Sequence, residues 1–208
     1  MSLLSWLALG LALGLRHAFE ADHVAAVAAL ATRTASRRDI LRVAAAWGAG
    51  HALVILCVGV VVTAFGLRLP PWISEHLEGL AGLVLVVLGL DVLRRLRSVR
   101  REAHDHLPAL ARGASRRALV VGGLHGLAGS AGLVMATVPG LRSPLGVLAY
   151  LALFGAGAIL GMALCSLAIS LPLQAGARRL AGWRNGLQLT IGASSVLLGL
   201  WLALHPNG

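Results

Sequence analysis

Lysine does not occur in this chain. All 18 basic residues are arginine, which, beside so much Ala, Leu and Gly, reads as a GC-rich coding bias rather than a functional choice. Charge of either sign is scarce, at 12% of residues, against about 25% in a soluble domain. That scarcity, with 58% hydrophobic residues and a mean hydropathy of +0.83, excludes a soluble globular domain and defines an integral membrane protein. Cysteine is limited to Cys57 and Cys165, both inside apolar runs, which excludes a disulfide framework and zinc-type spacing. There is no nucleotide-binding motif, so the chain does not itself use ATP. A formal net charge of +10 would suggest a nucleic-acid partner, but the arginines sit in short loops between apolar runs, which excludes one. The N-terminus lacks the basic segment and the small-residue cleavage site of a signal peptide and is read as the first membrane helix.

What the membrane segments do contain is concentrated at Arg16-His17-Ala18-Phe19-Glu20-Ala21-Asp22-His23. The apolar run from Leu3 to Ala31 around it is long enough to cross a bilayer, which takes about 20 residues. An ionisable group at bilayer depth costs about 2.5–3.5 kcal/mol on insertion scales, so five of them in eight residues imply a function. Histidine nitrogen and carboxylate oxygen together suit a divalent transition metal. Arg16 and Glu20, spaced i,i+4, could instead neutralise each other on one helix face. At about 100° per residue, His17, Glu20 and His23 share a stripe while Asp22 points away. A straight helix therefore cannot bring His17, Asp22 and His23 onto one ion. Local distortion, an orienting role for Asp22, or completion by other helices would each resolve the conflict.

Hydropathy predicts an all-α membrane protein of about six transmembrane helices, over Leu3–Ala31, Ile40–Gly66, Ile73–Leu96, Ala118–Val138, Pro144–Leu171 and Leu187–Leu204. Loops one, three and five carry 15 of the 18 arginines, which by the positive-inside rule places them in the cytoplasm and both termini outside. The whole chain, 1–208, is one transmembrane domain: a three-helix half over 1–97, a basic cytoplasmic loop over 98–117, and a second three-helix half over 118–208. Gly14-Leu15-Arg16-His17-Ala18 resembles Gly122-Gly123-Leu124-His125-Gly126 about 108 residues on. Gly48-Ala49-Gly50-His51 resembles Gly155-Ala156-Gly157-Ala158. With three helices per half, such a repeat is inverted, a plan that puts a transport site at the repeat interface.

The second and fourth predicted helices bring further ligands. His51 follows small residues that allow close helix approach in lipid, and His125 begins His125-Gly126-Leu127-Ala128-Gly129-Ser130. Ser130 holds the repeat position of Asp22 and could accept a hydrogen bond or line a path, with helix packing as the plainer role. Asp91 with Arg94 and Arg95 reads as an ion pair at a helix end. His104-Asp105-His106 reads as part of a solvated linker. Trp72 reads as an interfacial anchor, with Glu75 and Glu78 as a weak cation attractor nearby, and Pro172 is expected to end or kink the fifth helix.

The segment Arg16 to Val24, RHAFEADHV, resembles the His-x4-Asp-His signature of the nickel/cobalt transporter (NiCoT) family. His17, Asp22 and His23 match it, Arg16 and Ala18 match its flanks, and Glu20 stands where the family usually has Asp. Gly50-His51 resembles the family's Gly-His motif in the next helix. The short length and the segments 122–132 and 154–166 look most like its urease-accessory, UreH-like branch. Larger members have about eight helices and a second acidic signature, which this chain lacks. The resemblance implies high-affinity movement of Ni²⁺ or Co²⁺ across a bacterial cytoplasmic membrane, often supplying a metalloenzyme such as urease.

The expected function is secondary transport of such an ion, with no enzymatic activity and no permanently bound cofactor. The expected partners are the cation, the lipid bilayer and metalloenzyme maturation proteins. His17, His23 and His51 are assigned as ligands, His125 as a further nitrogen donor, and Asp22 as ligand or orienting partner. Arg16, Glu20 and Ser130 are supporting residues. The competing readings are a thiol–disulfide electron carrier using Cys57 and Cys165, and a metal efflux or accessory protein.

Overall fold

The computed structural model describes residues 2–32, 36–67, 70–99, 111–129, 143–179 and 181–205. Among these there are seven helices and no strand: α1 (Leu3–His17), α2 (Ala21–Ala31), α3 (Arg37–Phe65), α4 (Pro71–Val99), α5 (Ala111–Gly129), α6 (Pro144–Arg179) and α7 (Ala181–Leu204). Four segments are long and apolar enough to cross a membrane: Arg37–Phe65, Glu75–Arg97, Pro144–Leu171 and Asn185–Leu204. Large apolar side chains such as Leu53, Phe65, Leu83, Val87 and Leu197 are exposed, while His17, His23, His51 and His125 are buried. Apolar outside and polar inside is the distribution a lipid solvent selects.

The predicted first helix, Leu3–Ala31, is two helices rather than one. α1 ends at His17 and α2 begins at Ala21. Tight i→i+3 bonds close the end of α1, Phe19 N–H to Arg16 C=O at 2.9 Å and Glu20 N–H to His17 C=O at 3.0 Å. Glu20 then takes an extended conformation (φ −65°, ψ 150°), which redirects the chain into α2. The other five predicted helices each correspond to one helix, with residues 130–138 of the fourth outside the described residues.

The helix ends extend beyond the apolar runs. α5 starts at Ala111, so Arg112, Arg116 and Arg117, expected in the loop over 98–117, are helical. α6 continues through Pro172 to Arg179, so that proline does not end it. Arginine and alanine are strong helix formers, and hydropathy marks where an apolar run ends rather than where a helix does. The expected pair forms at the end of α4, where Arg95 Nε donates to Asp91 Oδ2 at 2.9 Å. α3 is capped at both ends. Ser36 Oγ accepts from Asp39 N–H at 3.1 Å, and Gly66 closes the helix at φ 59°, a left-handed conformation that glycine reaches without a Cβ penalty.

Glycine contacts hold the bundle together and set its directions. α1 lies parallel to α6, with Gly10 meeting Tyr150 and Gly14, one turn on, meeting Phe154: a Cβ on Gly14 would collide with the Phe154 backbone, and one on Gly157 with the Leu11 carbonyl. α3 lies parallel to α5 in the same manner, with Gly122 against Trp47 and Gly126, one turn on, against His51; a Cβ on Gly50 would meet the Leu119 carbonyl. α4 and α7 run antiparallel, joined at Gly82 with Gly199 and at Gly89 with Gly192. Lipid tails are as apolar as leucine, so backbone approach through small residues is what drives association here.

Candidate metal centre

The break between α1 and α2 creates the site. In a straight helix, His17 and His23 would be about 9 Å apart along the axis. Across the break their ring centroids are 4.3 Å apart. α3 adds His51, whose ring lies 5.3 Å from that of His17 and 5.0 Å from that of His23. α5 adds His125, 4.5 Å from His23. His51 is seated by Gly126, where a Cβ would come within 2.7 Å of the His51 carbonyl oxygen. α7 steadies α2 through Ser195 Oγ, which donates to the Ala25 carbonyl at 3.3 Å.

All four rings are at most 1% exposed. Asp22 faces two of them: Oδ1 lies 3.1 Å from His23 Nδ1 and Oδ2 lies 2.9 Å from His125 Nε2. An ionised carboxylate only accepts, so each of these ring nitrogens carries the proton. That leaves lone pairs on His23 Nε2 and His125 Nδ1, both buried and without a hydrogen-bond partner. Both nitrogens of His17 and both of His51 are likewise buried without one. A buried polar atom left unpaired costs about 1–3 kcal/mol. Several orphaned nitrogens buried side by side are chemically a nitrogen-rich cradle for a cation.

The donor atoms fit one. One set, from His17, His23 and His51, lies within 4.8 Å of one another, and so does a second, from Asp22, His23 and His125. Bonds of about 2.1 Å to a divalent ion put ligand atoms up to about 4.2 Å apart, so small side-chain adjustments close either set.

The structure thus brings together all five residues expected to contact metal: His17, Asp22, His23, His51 and His125. The supporting residues are placed differently. Glu20, 46% exposed, sets Oε2 2.8 Å from His17 Nδ1, off the ring's hydrogen-bonding direction. No ion pair joins Glu20 to Arg16 among the described residues, because the turn at residues 18–20 breaks the i,i+4 register on which that pair depended. Arg16 is exposed. Ser130 and His104-Asp105-His106 lie outside the described residues. Cys57 and Cys165 are free thiols, one exposed and one buried.

Sequence reasoning missed Trp47. It is fully buried, its ring stacks 6.1 Å from His23 at 4° and meets His125 edge-on at 5.8 Å, and its indole nitrogen has no hydrogen-bond partner. A tryptophan one turn before His51, far from either end of a membrane helix and so outside the interfacial belt, was the available signal. Phe154, 5.5 Å from His17, covers the other side.

Imidazole must be neutral at the ligating nitrogen, so metal and proton compete. Binding of Co²⁺ to the purified protein is expected to weaken as pH falls, by about tenfold per pH unit for each displaced proton. Equilibrium titrations across a pH series extended well into acid check this; affinity that stays flat to the acid end would count against histidine ligation.

These features define a class, helical membrane proteins built around a buried histidine–carboxylate cluster. The chain belongs to the UreH family, the urease-accessory branch of the NiCoT-like proteins: it is 31% identical over 208 residues to urease accessory protein UreH of Bacillus sp. (strain TB-90), covering 96% of this chain and 91% of that protein. No family model matches the chain. No solved structure matches it.

Proposed function

We propose that this protein carries a divalent transition-metal ion, Ni²⁺ or Co²⁺, across a bacterial cytoplasmic membrane as a secondary transporter. The observation that carries this reading is the set of unpaired nitrogens from His17, His23, His51 and His125, all buried around Asp22. An all-imidazole group suits nickel and cobalt, whereas carboxylate and water suit magnesium and calcium. The ion is cargo rather than a resident cofactor, and no catalysis is assigned. The membrane potential favours inward cation movement by about 2.3 kcal/mol per charge per 100 mV. The name of the Bacillus relative, a urease accessory protein, supports supply of metal to urease maturation.

The reading includes six spans, with α1 and α2 together forming the first, arranged as inverted halves over 1–97 and 118–208 with both termini outside. The glycine contacts support this. Gly14 meeting Phe154 is matched by Gly122 meeting Trp47, Gly157 meeting Leu11 by Gly50 meeting Leu119, and Gly82 meeting Gly199 by Gly192 meeting Gly89. Each contact recurs with the roles of the halves exchanged, as a two-fold axis in the membrane plane requires.

The test is ⁶³Ni²⁺ uptake into proteoliposomes at nanomolar metal. Uptake is expected to be lost in His17→Ala and kept in the Cys57→Ser/Cys165→Ser double variant. No flux in the wild type would overturn the transport reading, flux indifferent to His17 would overturn transport through this site, and flux abolished by the cysteine replacements would favour thiol–disulfide chemistry.

A further inference from the structure

The four histidines do not form one ligand sphere. His23 is the only ring in contact with all three others; His17 and His51 group on one side of it, and His125 with Asp22 on the other. The two donor sets share a single member, His23. Its two ring nitrogens face different ways: Nδ1 meets Asp22, and Nε2 is unpaired. A neutral imidazole has one lone pair, so His23 serves one set at a time. His17 and His125, the members that distinguish the sets, are also the residues that the sequence repeat superposes.

We propose that the centre is two overlapping ion stations rather than one. Station one is the three-nitrogen set His17, His23 and His51. Station two is the mixed set Asp22, His23 and His125. The ion crosses the middle of the protein by exchanging partners around His23, leaving a ligand of one half for its counterpart in the other. In an inverted repeat the two halves open to opposite sides, so the station an ion occupies fixes the side with which it exchanges. The carboxylate makes station two the more anionic, so the two environments differ in chemistry as well as position. This inference rests on the transport reading above.

The experiment pairs Co²⁺ titration of the full chain in detergent, read by cobalt visible absorbance, with Co²⁺ flux in proteoliposomes. Because the stations share His23, the wild type is expected to bind a single Co²⁺. His51→Ala and His125→Ala should each still bind one, with visible spectra that differ from each other. Both should lose flux by about ten- to a hundredfold, the range seen when metal-site partners are removed. The His51→Ala/His125→Ala double variant should bind none. His51→Gln and His125→Gln, checked for monodispersity, repeat the comparison with side chains nearer the original volume. If the single variants in both forms, folded and monodisperse, bind no Co²⁺, there is one centre and the two-station arrangement is wrong. Wild-type flux in His125→Ala overturns it equally. Absence of Co²⁺ binding in the wild type would instead remove the transport reading on which it stands.

Discussion

His23→Ala is expected to abolish metal binding and transport together. His23 is the ring that touches the other three, at 4.3, 5.0 and 4.5 Å. Its removal takes a nitrogen from both donor sets and deprives Asp22 of one of its two histidine partners. Loss of an outer partner in a metal site costs about 10–100-fold, and loss of a ligand common to both sets should exceed that, to at least about a hundredfold in ⁶³Ni²⁺ flux. The vacated space is lined by Trp47 and His17 rather than by lipid, so the fold should survive, and a retained melting temperature would separate ligand loss from unfolding. Uptake within a fewfold of wild type would mean that His23 packs the centre without ligating.

The second large effect is structural. Gly14→Ala places a methyl group into the Phe154 backbone carbonyl, where α1 and α6 meet main chain to main chain. Side chains rotate out of the way; a helix backbone does not. Overpacking typically costs about 1–3 kcal/mol, and this contact should stand at or above the top of that range, read as a large drop in melting temperature in detergent. Gly79→Ala is the matched control, because a Cβ there meets nothing within 4 Å. It should leave stability unchanged or raise it, since alanine outperforms glycine in a helix by up to about 1 kcal/mol. Equal melting temperatures for the two variants would show that α1 and α6 do not pack this closely.

The sequence made much of the site legible. An ionisable group in lipid is expensive, so His17, Asp22, His23, His51 and His125 stood out against Leu, Ala and Gly without any knowledge of their neighbours. The geometric conflict within the first segment was also readable: no straight helix presents His17, Asp22 and His23 to one point, and the structure resolves it with the turn at Ala18–Glu20. The helix ends were not readable from hydropathy, because Arg112, Arg178 and Arg179 are polar yet helical. Nor was the fate of Glu20. The i,i+4 rule paired it with Arg16, and that rule presumes the continuous helix which the same residues interrupt. The sharing of Asp22 between His23 and His125 joins positions 103 residues apart, and no local pattern encodes such a contact.

The interrupted first segment also bears on how the protein is made. α1, with 15 residues, and α2, with 11, are about 22 and 16 Å long, and neither alone spans a hydrocarbon core of about 30 Å. Their stability in the bilayer comes from partners synthesised much later: α1 rests on α6, and α2 on α4, α6 and α7. α1 and α2 are therefore made before the helices they rest on. His17 and His23 are thus held in place by helices translated after their own, and the assembly of the centre waits on α6.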